Sequence, residues 1–158
     1  MPYINSITGT YFPPETTAFA GCSLGGLSAL DIVISNPNHF GMAGVFSGSL
    51  WWRSKSYQEG YTDNDRIIHN KVNQTILKDH FRCWLMAGTY DENNDRNRSG
   101  VADAVEDTLD MYELLSGKMN DPSKNLHLRI VNEGNHDTET WAYHFPDFLH
   151  HSFGKHLY

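Results

Sequence analysis

The sequence predicts an α/β fold, a mostly parallel sheet with helices on both faces, and three observations carry that expectation. Short apolar runs alternate with longer segments of helical period. The runs are apolar at successive positions, as in strands buried on both faces, rather than at every second one. Each run also closes on a glycine-bearing turn, the punctuation of a strand that hands over to a helix.

The elements follow in order. The first run covers residues 17–20 and ends at Gly21. From Leu24, apolar residues fall at Leu27, Leu30 and Ile34, thickened by Ala29, Ile32 and Val33, which predicts a helix buried on more than one side. Asn36-Pro37 stops it, because the residue before proline is pushed out of the helical region. Residues 42–46 form the second run, ending in Ser47-Gly48, and residues 81–87 the third, ending at Gly88. Val101, Val105, Leu109, Tyr112 and Leu115 then make one face of a helix closed by Gly117. Residues 126–131 form the fourth run, ending at Glu133-Gly134. Thr138 is expected to cap a last helix carrying Trp141, Phe145, Phe148 and Leu149, and Pro146 to break or kink it. Four strands are few for this pattern, and the chain opens almost directly on a strand. The whole of residues 1–158 therefore reads as one domain, the second part of a larger one whose N-terminal strands are absent.

Composition narrows the function. Hydrophobic residues at 39% and aromatics at 13% exclude disordered and fibrous chains. No apolar run approaches the roughly 20 residues of a membrane helix, so no membrane partner is expected. Met1-Pro2-Tyr3-Ile4-Asn5 lacks the basic-then-apolar pattern of a signal peptide. The net charge is −7 and the twelve Lys and Arg are scattered, which speaks against a nucleic-acid partner. Cys22 and Cys83 sit in runs that read as interior strands, so buried thiols are expected rather than a disulfide. That favours a cytoplasmic setting, while an export signal on a preceding segment leaves localisation open.

Gly21-Cys22-Ser23-Leu24-Gly25 matches G-x-S-x-G, with Gly26 following. Composition alone produces the bare pattern in about one chain in twenty of this length. Here an apolar strand precedes it and a periodic helix follows, which is the context the chemistry needs. Such a turn lifts the serine Oγ above the sheet of an α/β-hydrolase fold. Side chains two residues to either side would collide with strand and helix, hence the two flanking glycines. The helix N-terminus faces a developing oxyanion, and the Leu24 amide is one expected donor to it.

A nucleophilic serine requires a base, and the base an acid, in the chain order Ser, Asp or Glu, His on this fold. Asp91 follows the third strand through Gly88-Thr89-Tyr90, with Glu92 and Asp95 as alternatives in the same loop. His136 follows the fourth strand through Gly134-Asn135. Of the nine histidines it alone lies just beyond the last strand's end. His39, His69, His80 and His127 lie in a loop, beside helices or on a strand. His144, His150, His151 and His156 lie in or after the last helix, where solvent exposure is expected.

With these positions in place, the chain resembles the esterase family of α/β-hydrolases that includes enterochelin esterases, feruloyl esterases and S-formylglutathione hydrolase. The similar stretches are Phe19-Ala-Gly-Cys-Ser-Leu-Gly-Gly-Leu27, Val45-Phe-Ser-Gly-Ser-Leu-Trp-Trp52, Gly88-Thr-Tyr-Asp91 and Gly134-Asn-His136. Trp141-Ala-Tyr-His-Phe-Pro-Asp-Phe-Leu149 and Pro2-Tyr3-Ile4 also match. The resemblance implies ester hydrolysis, several strands ahead of the nucleophile strand, and a second oxyanion donor from one of their loops. A chain without those strands exposes a central edge, which invites self-association. The resemblance also implies that the region of Trp51 and Trp52 helps build the pocket for a small-molecule or carbohydrate-linked ester; Tyr57 and Tyr61 follow close by. The other reading is a non-catalytic binding or assembly module that keeps the fold.

Asp95, Asn97, Ser99, Val101 (through its carbonyl), Asp103 and Glu106 fall at the positions of an EF-hand-type loop, with Gly100 at the sixth. Oxygen ligands at this spacing suit a structural calcium that would brace the loop carrying Asp91, although no cofactor is required for the chemistry. Acids in a helix's first turn also need no metal, because they favour the dipole.

Overall fold

A computed structural model describes residues 2–154. A short helix α1 (Pro2–Thr8) leads through a single 3₁₀ turn into β1 (Ala18–Cys22), α2 (Leu24–Ser35) and β2 (Met42–Phe46). A long connection with two more 3₁₀ turns carries α3 (Ile67–Gln74) and reaches β3 (Arg82–Tyr90). Then come α4 (Asp103–Ser116), α5 (Pro122–Asn125), β4 (Leu126–Asn135) and α6 (Thr138–Phe153). The four strands are all parallel, in the order β1-β2-β3-β4.

The sheet is covered on both faces, as the continuous apolar strands require. On one side Leu30 and Val33 of α2, Ile68 and Val72 of α3, and Met111 and Leu115 of α4 pack on Val45 and Leu85. On the other, Phe148 of α6 packs on Phe46, Trp84 and Met86. β2 is buried at every position, whereas β1 is an edge strand with Phe19 exposed. Cys22, expected to be interior, is accordingly only half-buried, and Cys83 is fully so; both thiols are free. Among the described residues no helix is long and apolar enough to cross a membrane.

Several elements depart from expectation. The helix around 103–116 does not bury Val101 or Leu109; its inner face is Ala104, Val105, Asp107, Thr108, Met111 and Leu115. A charged Asp107 displaces the apolar stripe because two guanidiniums reach it: Arg66 Nη1 at 2.6 Å and Arg96 through both terminal nitrogens at 2.6 and 3.1 Å. Pro146 lies inside α6 without ending it, and the cap is Asp137, whose carboxylate accepts the Thr140 amide at 2.8 Å. α3, unforeseen in the long connection, forms because Ile68 and Val72 fall one turn apart and both face the core. β3 and β4 outrun their apolar stretches and pair as far as Tyr90 and Asn135, with a register irregularity between Gly88 and Tyr90. That extension delivers both loops of the site to one end of the sheet.

Close backbone approach fixes the turn after β1. A Cβ on Gly21 would stand 2.3 Å from the Gly25 carbonyl oxygen, so no side chain fits. At Gly25 itself a Cβ would meet nothing within 4 Å; the second crowded glycine is Gly26, against Gly21 O and Gly48 Cα. The sterically required pair is thus Gly21 and Gly26, not the expected Gly21 and Gly25. Gly21→Ala should lower stability by about 1–3 kcal/mol in urea titrations, as overpacking does, whereas Gly25→Ala should stay within about 0.5 kcal/mol of wild type.

His69 on α3 is buried, its Nε2 is 3.3 Å from the Asp107 carbonyl and its Nδ1 has no partner. With an acceptor facing Nε2, the neutral ring carries its proton there. Burial first, and Arg66 next, push its pKa down to about 4 from 6.5. A base depressed on folding favours the folded state above its unfolded value and withdraws that stability as pH falls from 6.5 towards 4. Urea titrations at neutral and mildly acidic pH should therefore show a smaller acid loss for His69→Gln than for wild type.

Candidate active site

Ser23, Leu24, Asp91 and His136 stand at the C-terminal crest of the sheet. Ser23, between β1 and α2, adopts φ 56° and ψ −126°, a region a serine occupies only when its surroundings enforce it. Its amide donates to the Phe46 carbonyl at 2.9 Å, extending the β1–β2 ladder by one step. Leu24 and Gly25 open α2, where first-turn amides have no acceptor within the helix. The Ser23 hydroxyl lies 3.5 Å from that of Ser49, and the Ser49 amide donates to the Ser23 carbonyl at 3.1 Å.

Asp91 sits just past β3 with its carboxylate fully buried and both oxygens engaged. Oδ2 accepts the Gly88 amide at 3.0 Å, and Oδ1 accepts the Ser47 hydroxyl at 2.9 Å. His136 Nδ1 lies 3.8 Å from the same Oδ1. Burial pushes the Asp91 pKa up; the Gly88 amide, the Ser47 hydroxyl and His136 oppose it, and Asp137 adds to it. His136 is 38% exposed at its side chain and packs edge-on against Trp141 at 5.0 Å. The Trp141 indole in turn donates to Ser47 Oγ at 2.8 Å.

Ser23, Asp91 and His136 line one cavity of about 240 Å³, together with Ser47, Ser49, Trp51 and Glu92. The structure pairs the Ser23 hydroxyl with Ser49 rather than with His136. Of the alternative acids, Glu92 lines this cavity on the α4 side, and Asp95 instead accepts the amides of Ser99 and Gly100. His144, expected at the surface, is buried and faces Asp147 at 3.3 Å; His156 lies outside the described residues.

Trp51 and Glu92 also border a second chamber of about 470 Å³ with Arg53, Tyr57, Asn94 and Arg96. Trp52 packs against Trp51, ring centroids 5.3 Å apart, and is 44% exposed. Arg53 lies 4.1 Å over the Tyr57 ring and 5.3 Å from that of Tyr61, with no carboxylate within 4.0 Å among the described residues. Glu92 Oε1 is buried without a hydrogen-bond partner, and burial raises the Glu92 pKa.

Of the oxygen ligands expected for calcium, those of Asp95 and Asn97 meet at the Ser99 amide, at 2.9 and 3.0 Å. Asp103 turns to the Arg96 amide at 2.9 Å, while the Asn97 amide and the Ser99 hydroxyl both donate to Glu106. Val101 is exposed ahead of α4. Among the described residues no group of three or more His, Cys, Asp and Glu side chains is arranged to hold a metal ion. Arg96, from within the loop, pairs with Asp103 at 3.4 Å and with Asp107 at 2.6 Å. Sequence reasoning missed Ser47, Ser49, Glu92's junction position and Arg53; their one available signal was placement just beyond strand ends.

Residues 1–151 match the family described as "Putative esterase". No curated protein sequence matches the chain. Among solved structures, enterochelin esterase from Shigella flexneri superposes with a TM-score of 0.68 at 24% identity, over 93% of this chain and 33% of that one. Ferric enterobactin esterase from Salmonella typhimurium gives 0.66 at 22% identity, over 96% of this chain and 34% of that one. A ferulic acid esterase gives 0.64 at 16% identity, over 94% and 55%. The chain thus spans about a third of the length of the first two. The fold is that of these α/β-hydrolase esterases, and the chain belongs to the Putative esterase family.

Proposed function

We propose that this chain carries the catalytic serine esterase chemistry of its family, with Ser23 as nucleophile, His136 as general base and Asp91 as its orienting acid. The carrying observation is that all three, from three different strand ends, line one cavity with Asp91 Oδ1 facing His136 Nδ1 at 3.8 Å. Ser23 Oγ attacks the ester carbonyl while His136 Nε2 takes its proton. The tetrahedral oxyanion forms at the N-terminus of α2, where the Leu24 amide donates to it. Collapse breaks the C–O bond, and His136 returns the proton to the departing alcohol. Water, deprotonated by His136, then releases the acid from Ser23. No cofactor enters these steps. Serine–histidine hydrogen bonds are commonly long before substrate binds and tighten in the complex, which accommodates the Ser49 contact.

The adjoining chamber supports a substrate class. Arg53 offers N–H donors with no acid partner, Glu92 a carboxylate side chain at the chamber wall, and Trp51 a flat apolar wall. A neutral hydroxylated group, such as the sugar of a carbohydrate-linked ester, uses all three. The second reading, a non-catalytic module, draws on the pairing of the Ser23 hydroxyl with Ser49.

A fluorophosphonate probe separates the two: covalent labelling at Ser23 is expected, and an unlabelled folded protein would establish the module. Ser23→Ala should lower p-nitrophenyl acetate hydrolysis by about 10³-fold or more, as nucleophile removal does elsewhere; wild-type rates in that variant would eliminate the assignment. Arg53→Met and Glu92→Gln should each raise KM for an acetylated sugar about tenfold more than for p-nitrophenyl acetate, the worth of one charged hydrogen bond. Equal changes for both substrates would remove the chamber from recognition.

A further inference from the structure

We propose that Ser47 and Trp141 are positioning residues, forming a one-way hydrogen-bond relay that holds the Asp91 carboxylate against His136. The inference rests on the esterase reading above. Neither residue stands out by chemistry in the sequence, yet their partners fix the arrangement. An indole N–H only donates, and an ionised carboxylate only accepts. The Ser47 oxygen therefore accepts from Trp141 Nε1 at 2.8 Å and spends its single proton on Asp91 Oδ1 at 2.9 Å. No second orientation of that hydroxyl satisfies both neighbours.

The backbone at Ser47 is arranged for this role. Ser47 is buried and holds φ at 46°, in the left-handed region that disfavours any side chain. Its amide donates to the Met86 carbonyl at 2.8 Å, so the residue is tied to β3 just ahead of Asp91. With Gly88 N–H on Oδ2, the carboxylate is held from both sides and its plane is set. Trp141 stands at the other end of the relay, in the first turn of α6, and its ring is also the edge-on neighbour of His136. One side chain thus touches the base and, through Ser47, the acid. The helix that closes the histidine loop is locked in register with the strand that carries Asp91.

The relay bears on titration as well as position. The charged neighbours of Asp91 are His136, which favours its ionised form, and Asp137, which opposes it; Glu92 lines the same cavity. Burial raises the Asp91 pKa, and the Ser47 hydroxyl is one of the two donors that counter it. Without that hydroxyl the Asp91 carboxyl holds its proton to higher pH, so it faces His136 as an ionised acceptor only at higher pH.

The test compares wild type with Ser47→Gly and Trp141→Phe. Glycine removes the hydroxyl yet accepts φ 46° without strain, and phenylalanine keeps a ring against His136 while deleting the N–H. The readouts are the rate of fluorophosphonate labelling at Ser23 across pH and the ¹³C NMR titration of the Asp91 carboxyl. Ser47→Gly should label about tenfold more slowly, the worth of a hydrogen bond to a charged group. Its acid limb and its Asp91 titration should both move to higher pH, and Trp141→Phe should shift both in the same direction by less. Slower labelling with the acid limb and the Asp91 titration unmoved would mean a packing role and overturn the relay, as would wild-type behaviour throughout. A wild-type protein that is never labelled defeats the esterase reading, while the Asp91 titration still decides the relay. Should Ser47→Gly fail to fold, Trp141→Phe alone carries the comparison.

Discussion

Backbone packed against backbone at the sheet's crest is the constraint on which this structure depends. At Gly21 the chain passes so close to the start of α2 that a methyl group would overlap the Gly25 carbonyl. At Gly88 the same happens against the Gly134 carbonyl, where an added Cβ would stand 2.2 Å away. The first contact turns the chain sharply enough to put Ser23 at φ 56°. The second draws the ends of β3 and β4 together past their apolar cores, bringing Asp91 and His136 within reach of each other. Interiors packed to crystal-like density leave no slack to absorb a side chain at either point.

Two buried carboxylates show how differently the fold treats charge. Asp107 is met by Arg66 and Arg96, full positive charges at hydrogen-bonding distance. That solution makes a fixed ion, suited to clamping α3, α4 and the loop after β3. Asp91 is met by an amide and a hydroxyl, dipoles that hold it in place without cancelling it. Its charge remains available to an imidazolium, which is what an orienting acid must offer.

The parallel α/β architecture was legible because it follows from periodicity: runs apolar at every position, separated by helical stripes. β2 matched its predicted bounds, since it is interior and bounded by turn residues on both sides. The meeting of Ser23, Asp91 and His136 at one cavity was legible because the proposed chemistry demands particular residue types at particular strand ends. What stayed hidden depends on partners distant in sequence. The Asp107 face of α4 breaks an apolar stripe for the sake of Arg66 and Arg96, on other elements. Likewise the ion pairs that Arg96 makes with Asp103 and Asp107 cannot be read from the oxygen spacing of residues 95–106. Pro146 looked like a break or kink because local rules cannot see that packing of α6 on the sheet outweighs one lost hydrogen bond.

Rigidity is unevenly shared among the three site residues, and the distribution has a logic. Ser23 is fixed by its backbone and Asp91 by both carboxylate oxygens, whereas His136 keeps 38% of its side chain in solvent. In the proposed reaction the histidine is the member that serves two different oxygens, first the nucleophile's and then the leaving group's. A small rotation of its ring about the Asp91 contact serves both with the other two held still. The fold thus spends its crowding on the two residues that must not move and leaves the adjustable one at the surface.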